Sequence, residues 1–392
     1  MLGFIKTLIE RTPLGLLQLK HDRMRLLVAI AGITFADVLI FMQLGFAAAL
    51  YKTNTQYPRT LKADLVIIGT QAKNFGKLRT FPRRRLYQAL DVPGVASADA
   101  LYIQSVDWRN PQTRKKTSML LVGQNPDRPS FNLPEVNQQL DAIRMPDTVL
   151  FDRASRGKYQ DIITRVQQGE RVTTEIGRRT VTVAGLFKVG ASFSDDGALI
   201  TSDQNFLRLF PKRDAGAVSL GLIRLHPGSD PDRVRAAVAA RLPDDVQVLT
   251  NRGYIDFEMA EIKATSPIGF VFGLGTTMGF IVGIVIVYQV LSTDVNSHLA
   301  EYATFKAMGY RNAYLLGVIF EEALILSILG FIPGLAIALG AYQLTATATA
   351  LPIAMPFGRG VIVLLLTFVM CGASGAIATR RLQAADPADI FS

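Results

Sequence analysis

The sequence predicts an α-helical membrane protein with four transmembrane helices and a large α+β extracytoplasmic domain inserted between the first and the second. Three observations carry that prediction. Hydrophobic residues make up 49% of the 392 residues and mean hydropathy is +0.26, too apolar for an ordinary soluble chain. No charge occurs between Lys263 and Asp294, and about 20 apolar residues suffice to cross a bilayer. Similar runs lie at Leu26 to Tyr51, where Asp37 is the lone charge, at Ala323 to Gly358, and at Gly360 to Thr379.

These runs divide the chain into an amphipathic N-terminal segment (1–25), span one (26–51), the inserted domain (52–263) and span two (264–292). A short helical segment (293–312), span three (313–345), a short loop (346–359), span four (360–379) and a tail (380–392) follow. Thr12 and Pro13 mark the start of a helix lying on the inner membrane surface. Span one lacks a small-residue cleavage pattern and is read as retained. Lys6, Arg11, Lys20, Arg23 and Arg25 precede it, Lys306 and Arg311 separate spans two and three, and Arg380 and Arg381 follow span four. By the positive-inside rule both termini and the 293–312 segment are cytoplasmic, which places the large domain and the 346–359 loop outside.

Within the inserted domain, runs rich in Val, Ile, Leu and Thr predict strands at 64–68, 118–122, 148–151, 180–184, 198–201, 220–225 and 246–249. Ser229, Asp230 and Pro231 begin a helix that Pro243 ends, and Tyr254 to Lys263 leads helically into span two. The Pro- and Asn-rich stretch from Pro126 to Pro146 reads as a lobe boundary or a long loop. The domain carries 32 Lys and Arg against 23 Asp and Glu, a net of +9 out of the chain's +10. Long domains translocate regardless of such an excess. A basic face, including Lys77, Arg79, Arg83, Arg84 and Arg85, suits lipid head groups, an acidic partner or an acidic cargo, or is plain solvated surface.

Chemistry is sparse. Cys371, inside span four, is the only cysteine, so the outer domain folds without disulfides and a cysteine metal site is excluded. His21, His226 and His298 lie in three separate regions without metal-ligand spacing. Ser192, Ser194, Asp195 and Asp196 read as a turn, not a nucleophile site. Gly76-Lys77 and Gly157-Lys158 lack the rest of a phosphate loop, so the expectation is a chain with no ATP site and no enzyme activity of its own.

Four membrane residues stand out. Asp37 falls mid-span, where a carboxylate faces the bundle interior, as a packing residue or as a proton relay. Gly275 and Gly279 form a G-x-x-x-G pair that points to close packing against a partner helix, a second copy of the chain among the candidates. Glu322, with Glu321, opens span three, and Pro333 and Gly334 interrupt it. The most informative stretch is Asp294 to Tyr310. Leu299, Tyr302, Phe305 and Met308 recur every three residues, and Gly309 follows as a terminator, giving a short amphipathic helix parallel to the membrane.

Glu301, Phe305, Lys306, Ala307 and Gly309 resemble the E-I-G-x-L-R-A-x-G element of FtsX/MacB-like ABC permeases. Phe320, Glu322, Ala323, Leu324, Ser327 and Gly330 are similar to the opening of that family's third span, and Asp386, Pro387, Ile390 and Phe391 to its C-terminal ending. Tyr302 and Ala303 replace the usual Ile-Gly, and Lys306 replaces Arg. This variant and the Gly15 to Arg25 stretch resemble the DevC group of cyanobacterial exporter permeases.

The resemblance implies a MacB-like (type VII ABC) architecture and a coupling site at Glu301, Tyr302, Phe305, Lys306, Met308 and Gly309 that engages a separate ABC ATPase subunit of the DevA/MacB type. It implies that this partner, not the chain, binds ATP and Mg, and that the membrane is the inner (plasma) membrane with the large domain in the periplasm. It further implies a homodimer in contact with membrane lipids, a periplasmic membrane-fusion adaptor, a TolC-like outer-membrane channel, lipid or glycolipid cargo, and no nucleic-acid partner. Two relatives of that function stay open: an FtsX-like signalling subunit that regulates a periplasmic hydrolase, and a lipoprotein-releasing permease.

Overall fold

The computed structural model describes residues 23–265, 267–298, 301, 304, 308 and 312–384. It contains four helices long and apolar enough to cross a membrane: α1 (Arg23–Thr60), α8 (Pro267–Ser297), α9 (Asn312–Thr349) and α10 (Phe357–Ala384). The chain divides into two compact units. The membrane unit takes residues up to Ala48, Phe270–Leu344 and the chain from Ile353 on, and the outer unit takes Ala49–Gly269 and Thr345–Pro352. Helix α1 has 38 residues, roughly 57 Å at 1.5 Å per residue, whereas a bilayer core is about 30 Å thick. Its last turns therefore belong to the outer unit. The surplus was invisible to a hydropathy reading, which ended the span at residue 51.

The outer unit contains eleven strands and six further helices in chain order. They are β1 (Leu65–Gly69), β2 (Phe81–Pro82), α2 (Arg84–Leu90), β3 (Val95–Arg109), β4 (Lys116–Gln124), α3 (Pro134–Asn137), β5 (Thr148–Asp152) and α4 (Gln160–Gln167). After these come β6 (Val172–Ile176), β7 (Arg179–Phe187), β8 (Ala198–Ser202), α5 (Asp203–Leu209), β9 (Ala217–Val218), β10 (Leu220–Leu225), α6 (Pro231–Arg241), β11 (Val246–Thr250) and α7 (Asn251–Thr265). All seven expected strands are present. Asp230 caps α6 by accepting from Asp232 N–H, with Pro231 in the first turn, as the Ser-Asp-Pro signal requires.

Nine strands form one sheet in the order β11-β1-β10-β3-β4-β8-β5-β7-β6, and β6 pairs again with β3 at Trp108 and Arg109. The 15-residue β3 is the shared member. Its first half pairs with β10 and its second with β4, so the strands from β3 to β6 close into a ring while β11, β1 and β10 extend from it. Sequence reasoning missed β3 because Ala96, Ser97, Ala98 and Asp99 interrupt the branched pattern that marks a strand.

Alternation places Leu65 and Ile67 of β1 in one buried cluster and Val66 and Ile68 in another, which explains its unbroken apolar run. Trp108 is fully buried and stacks on Phe151 at 5.5 Å, and Phe151 meets Tyr159 edge-on at 5.0 Å. The 126–146 stretch is a long connection and not a lobe boundary: Phe131, Val136 and Ile143 are buried in the same cluster as Val66 and Leu150.

Candidate functional site

Where α8 ends, the segment expected to couple to an ATPase begins. Glu301 and Thr304 are helical and exposed, and Met308 is 61% exposed in a turn, its N–H donating to Thr304 O at 2.9 Å. Tyr302, Phe305, Lys306 and Gly309 lie outside the described residues, as does the N-terminal segment before Arg23.

A charged cluster sits at the base of this segment. Arg25 Nη1 donates to Asp294 Oδ1 at 2.9 Å, and Nη2 donates to Ser297 Oγ at 3.1 Å. His298 Nδ1 lies 3.6 Å from the same carboxylate oxygen. Asp294 is 3% exposed and Glu322 1%, and neither carboxylate oxygen of Glu322 has a hydrogen-bond partner among the described residues. Asp294 and Arg25 are the charges that act on Glu322. Arg25 thus pairs with one of two sequestered acids, contributed by α8 and α9, and Coulomb attraction is strong where water is excluded. The ion pair ties α1 to α8. Behind it, Ala29, Ile33, Val287, Leu291, Ala323 and Leu326 form the apolar interior.

Asp37 is fully buried in α1, and Thr367 of α10 donates to its Oδ1 at 2.7 Å. Its Oδ2 has no partner, and Gly334 abuts its Cβ. That geometry fits a hydrogen-bonded packing residue.

The G-x-x-x-G pair packs closely on a neighbouring helix. A Cβ on Gly275 would fall 2.5 Å from the Gln43 side chain, and one on Gly279 would fall 3.2 Å from Ile40. Both glycines face α1 of the same chain. A further G-x-x-x-G pair, Gly330 and Gly334, lies against the same helix: a Cβ on Gly330 would sit 2.5 Å from Ile33 Cβ. Thr34 Oγ1 donates to Gly330 O at 3.0 Å. Small residues from two spans therefore let α1 approach both closely.

Sequence reasoning named neither Arg25 nor Asp294 as a site. The available signal was positional: Arg25 is the last charge before span one and Asp294 the first after span two.

In the outer unit Ser192 Oγ accepts from Ser194 N–H at 3.1 Å and Asp195 N–H at 2.9 Å, the turn expected there. Arg85 leaves the basic run. Its Nε and Nη2 grip Asp245 at 2.8 to 3.1 Å, and its side chain is 8% exposed. Glu258 of α7 is fully buried beside Tyr254, and neither of its oxygens completes a hydrogen bond. Burial pushes its carboxyl up to about 7; the nearby Tyr254 hydroxyl and Phe75 amide offset part of that, and the charge of Glu261 adds to it. Two aromatic pairs lie nearby: Tyr57 stacks on Phe75 at 5.5 Å, and Tyr254 on Phe257 at 6.4 Å.

Two family models match this chain. The MacB-like periplasmic core domain covers residues 26–241, and the FtsX-like permease C-terminal region covers 273–387. No curated protein matches the sequence. Among solved structures, the periplasmic region of MacB from Actinobacillus actinomycetemcomitans is similar at 10% identity. That match covers 53% of this chain and 95% of the other, with a TM-score of 0.33. The extracellular domain of the ABC-type transporter YknZ from Gram-positive bacteria is similar at 14% identity, over 48% of this chain and 99% of the other, with a TM-score of 0.31.

Proposed function

The chain belongs to the FtsX/MacB-like permease family, and from that premise we propose that it is the membrane subunit of an ABC exporter driven by a separate ATPase. It is a multi-pass membrane protein with an extracellular-side domain, and permeases of this family work with an ABC ATPase. In our reading the 293–312 segment and both termini are cytoplasmic, and the ATPase pushes on Glu301, Tyr302, Phe305, Lys306, Met308 and Gly309. The chain itself supplies no phosphate loop.

The observation that carries this reading is the Arg25–Asp294 ion pair at the base of that segment. A displacement of the segment reaches Asp294 first. The ion pair passes it to α1, and α1 is one helix whose last turns belong to the outer unit. Packed helices shift as bodies, so such a linkage transmits motion without a channel through the bundle. Lipid, glycolipid or another hydrophobic cargo, a homodimer, a periplasmic adaptor and a TolC-like channel complete the proposed system, as in DevC-type exporters.

The test is reconstitution of the full-length chain with its ATPase, comparing Glu301→Ala and Lys306→Ala with wild type. Permease-stimulated ATP hydrolysis should fall at least tenfold while membrane insertion stays normal; unchanged stimulation in both variants refutes the coupling role. An adaptor and a channel in the native complex support export, whereas a hydrolase in their place redirects the reading to signalling.

A further inference from the structure

The loop between α5 and β9 folds back beside the start of α2. Arg83 N–H donates to Gly216 O at 2.7 Å, Tyr102 Oη donates to Ala215 O at 2.8 Å, and β2 pairs with β9. Between these elements lies a groove of about 670 Å³, within the range of small-molecule sites. Leu209, Phe210, Pro211 and Ala217 give it apolar walls, and Thr80 and Gln104 stand opposite.

Its distinguishing feature is Arg213. The guanidinium lies over the Phe206 ring at 5.2 Å and the Tyr102 ring at 5.7 Å. Nη2 donates to Ser219 Oγ at 2.7 Å and to Ala217 O at 3.3 Å, and Nη1 donates to Gln104 Oε1 at 3.4 Å. All of these acceptors are neutral. No carboxylate forms an ion pair with Arg213 or Lys212 among the described residues, and Arg213 Nε is buried without a partner. Asp214, the exposed acid on the groove, is engaged within its own loop, its Oδ1 accepting from Gly216 N–H at 2.8 Å. A half-buried cation fixed in place with no counter-charge is costly unless an anion joins it. Desolvation lowers the pKa of Arg213, in keeping with that cost. Exposed Lys212 also lines the groove, again with no ion-pair partner among the described residues.

We propose that this groove binds an amphiphilic anion, a phosphate or carboxylate carried on an apolar body, with Arg213 anchoring the charge and the Leu209–Pro211 wall receiving the apolar part. An acidic peptide fits less well, because the interior offers one fixed cation and a continuous apolar wall, not a row of charges. The site is assigned for binding alone and stands whether or not the chain couples to an ATPase.

The test uses full-length protein in phosphatidylcholine nanodiscs titrated with octyl phosphate, with empty discs subtracted. Saturable binding should weaken at least tenfold in Arg213→Gln. Thr80→Trp fills the mouth from an exposed position without touching the contacts of Arg213, and should weaken binding to a similar degree even if Arg213→Gln unfolds. Equal binding by wild type and Thr80→Trp overturns the proposal. So does competition by inorganic phosphate, octyl glucoside or a pentaglutamate peptide at the concentration where octyl phosphate competes with itself. Loss of octyl phosphate binding when phosphatidic acid is built into the disc identifies the bilayer as the source of the anion; retention identifies a free amphiphile, and both uphold the shared chemistry.

Discussion

Arg25 and Asp294, 269 positions apart, meet at 2.9 Å with only 4% of the aspartate side chain exposed. Each bounds a span, so the pair joins α1 to α8 where the 293–312 segment departs. Removing one member of a sequestered pair strands the other. Arg25→Ala should therefore destabilise the protein by about 3 kcal/mol, seen as a lower melting temperature of the full-length protein in detergent. Adding Asp294→Asn and Glu322→Gln should recover most of the loss. A single variant as stable as wild type would show that the pair is not what holds these helices.

The glycine contacts make a second prediction with an internal control. Gly330→Ala forces a methyl to within 2.5 Å of Ile33 Cβ, a branched carbon close to the backbone of α1, whereas nothing lies within 4 Å of the corresponding point on Gly273. Overpacking of this kind costs about 1–3 kcal/mol. Gly330→Ala should thus lower the unfolding temperature, and Gly273→Ala should leave it unchanged or raise it slightly, because alanine favours helix. Equal effects at both sites would contradict the packing described for α1.

Glu258 makes stability depend on pH. Its carboxyl is raised to about 7 from 4.5, so the folded state holds a proton that the unfolded chain releases. The stabilisation is fully present below pH 4.5, is lost as pH rises through 7, and is constant above that. Its full span is roughly 3 kcal/mol. Glu258→Gln should flatten the pH profile of unfolding between 4.5 and 7, and a variant whose slope matches wild type would remove Glu258 as its source.

Much of the architecture was legible in the residues. The four spans follow from long apolar runs with few or no charges, and the expected strands from branched residues bounded by turn formers. What escaped was tertiary. Nothing in Val95 to Arg109 announces that one strand serves two partners. Nothing in the Gly275 and Gly279 spacing says whether the opposing helix comes from the same chain. Asp37 was legible as a bundle-facing carboxylate; its Thr367 donor, 330 positions away, was not. Arg85 looked like one more surface cation until Asp245 claimed it. The groove around Arg213 is assembled from residues 80, 104 and 209–217, and no local pattern foreshadows an assembly of that kind.

The strand order also carries a consequence for biosynthesis. Strand β1 is flanked only by β10 and β11, so its ladder stays open while some 150 residues downstream are still to be translated. Until Leu220 emerges, the Leu-Val-Ile-Ile run is an exposed, sticky edge of the sort that recruits foreign strands. A nascent chain stalled before that point would offer aggregation a template and proteases a target.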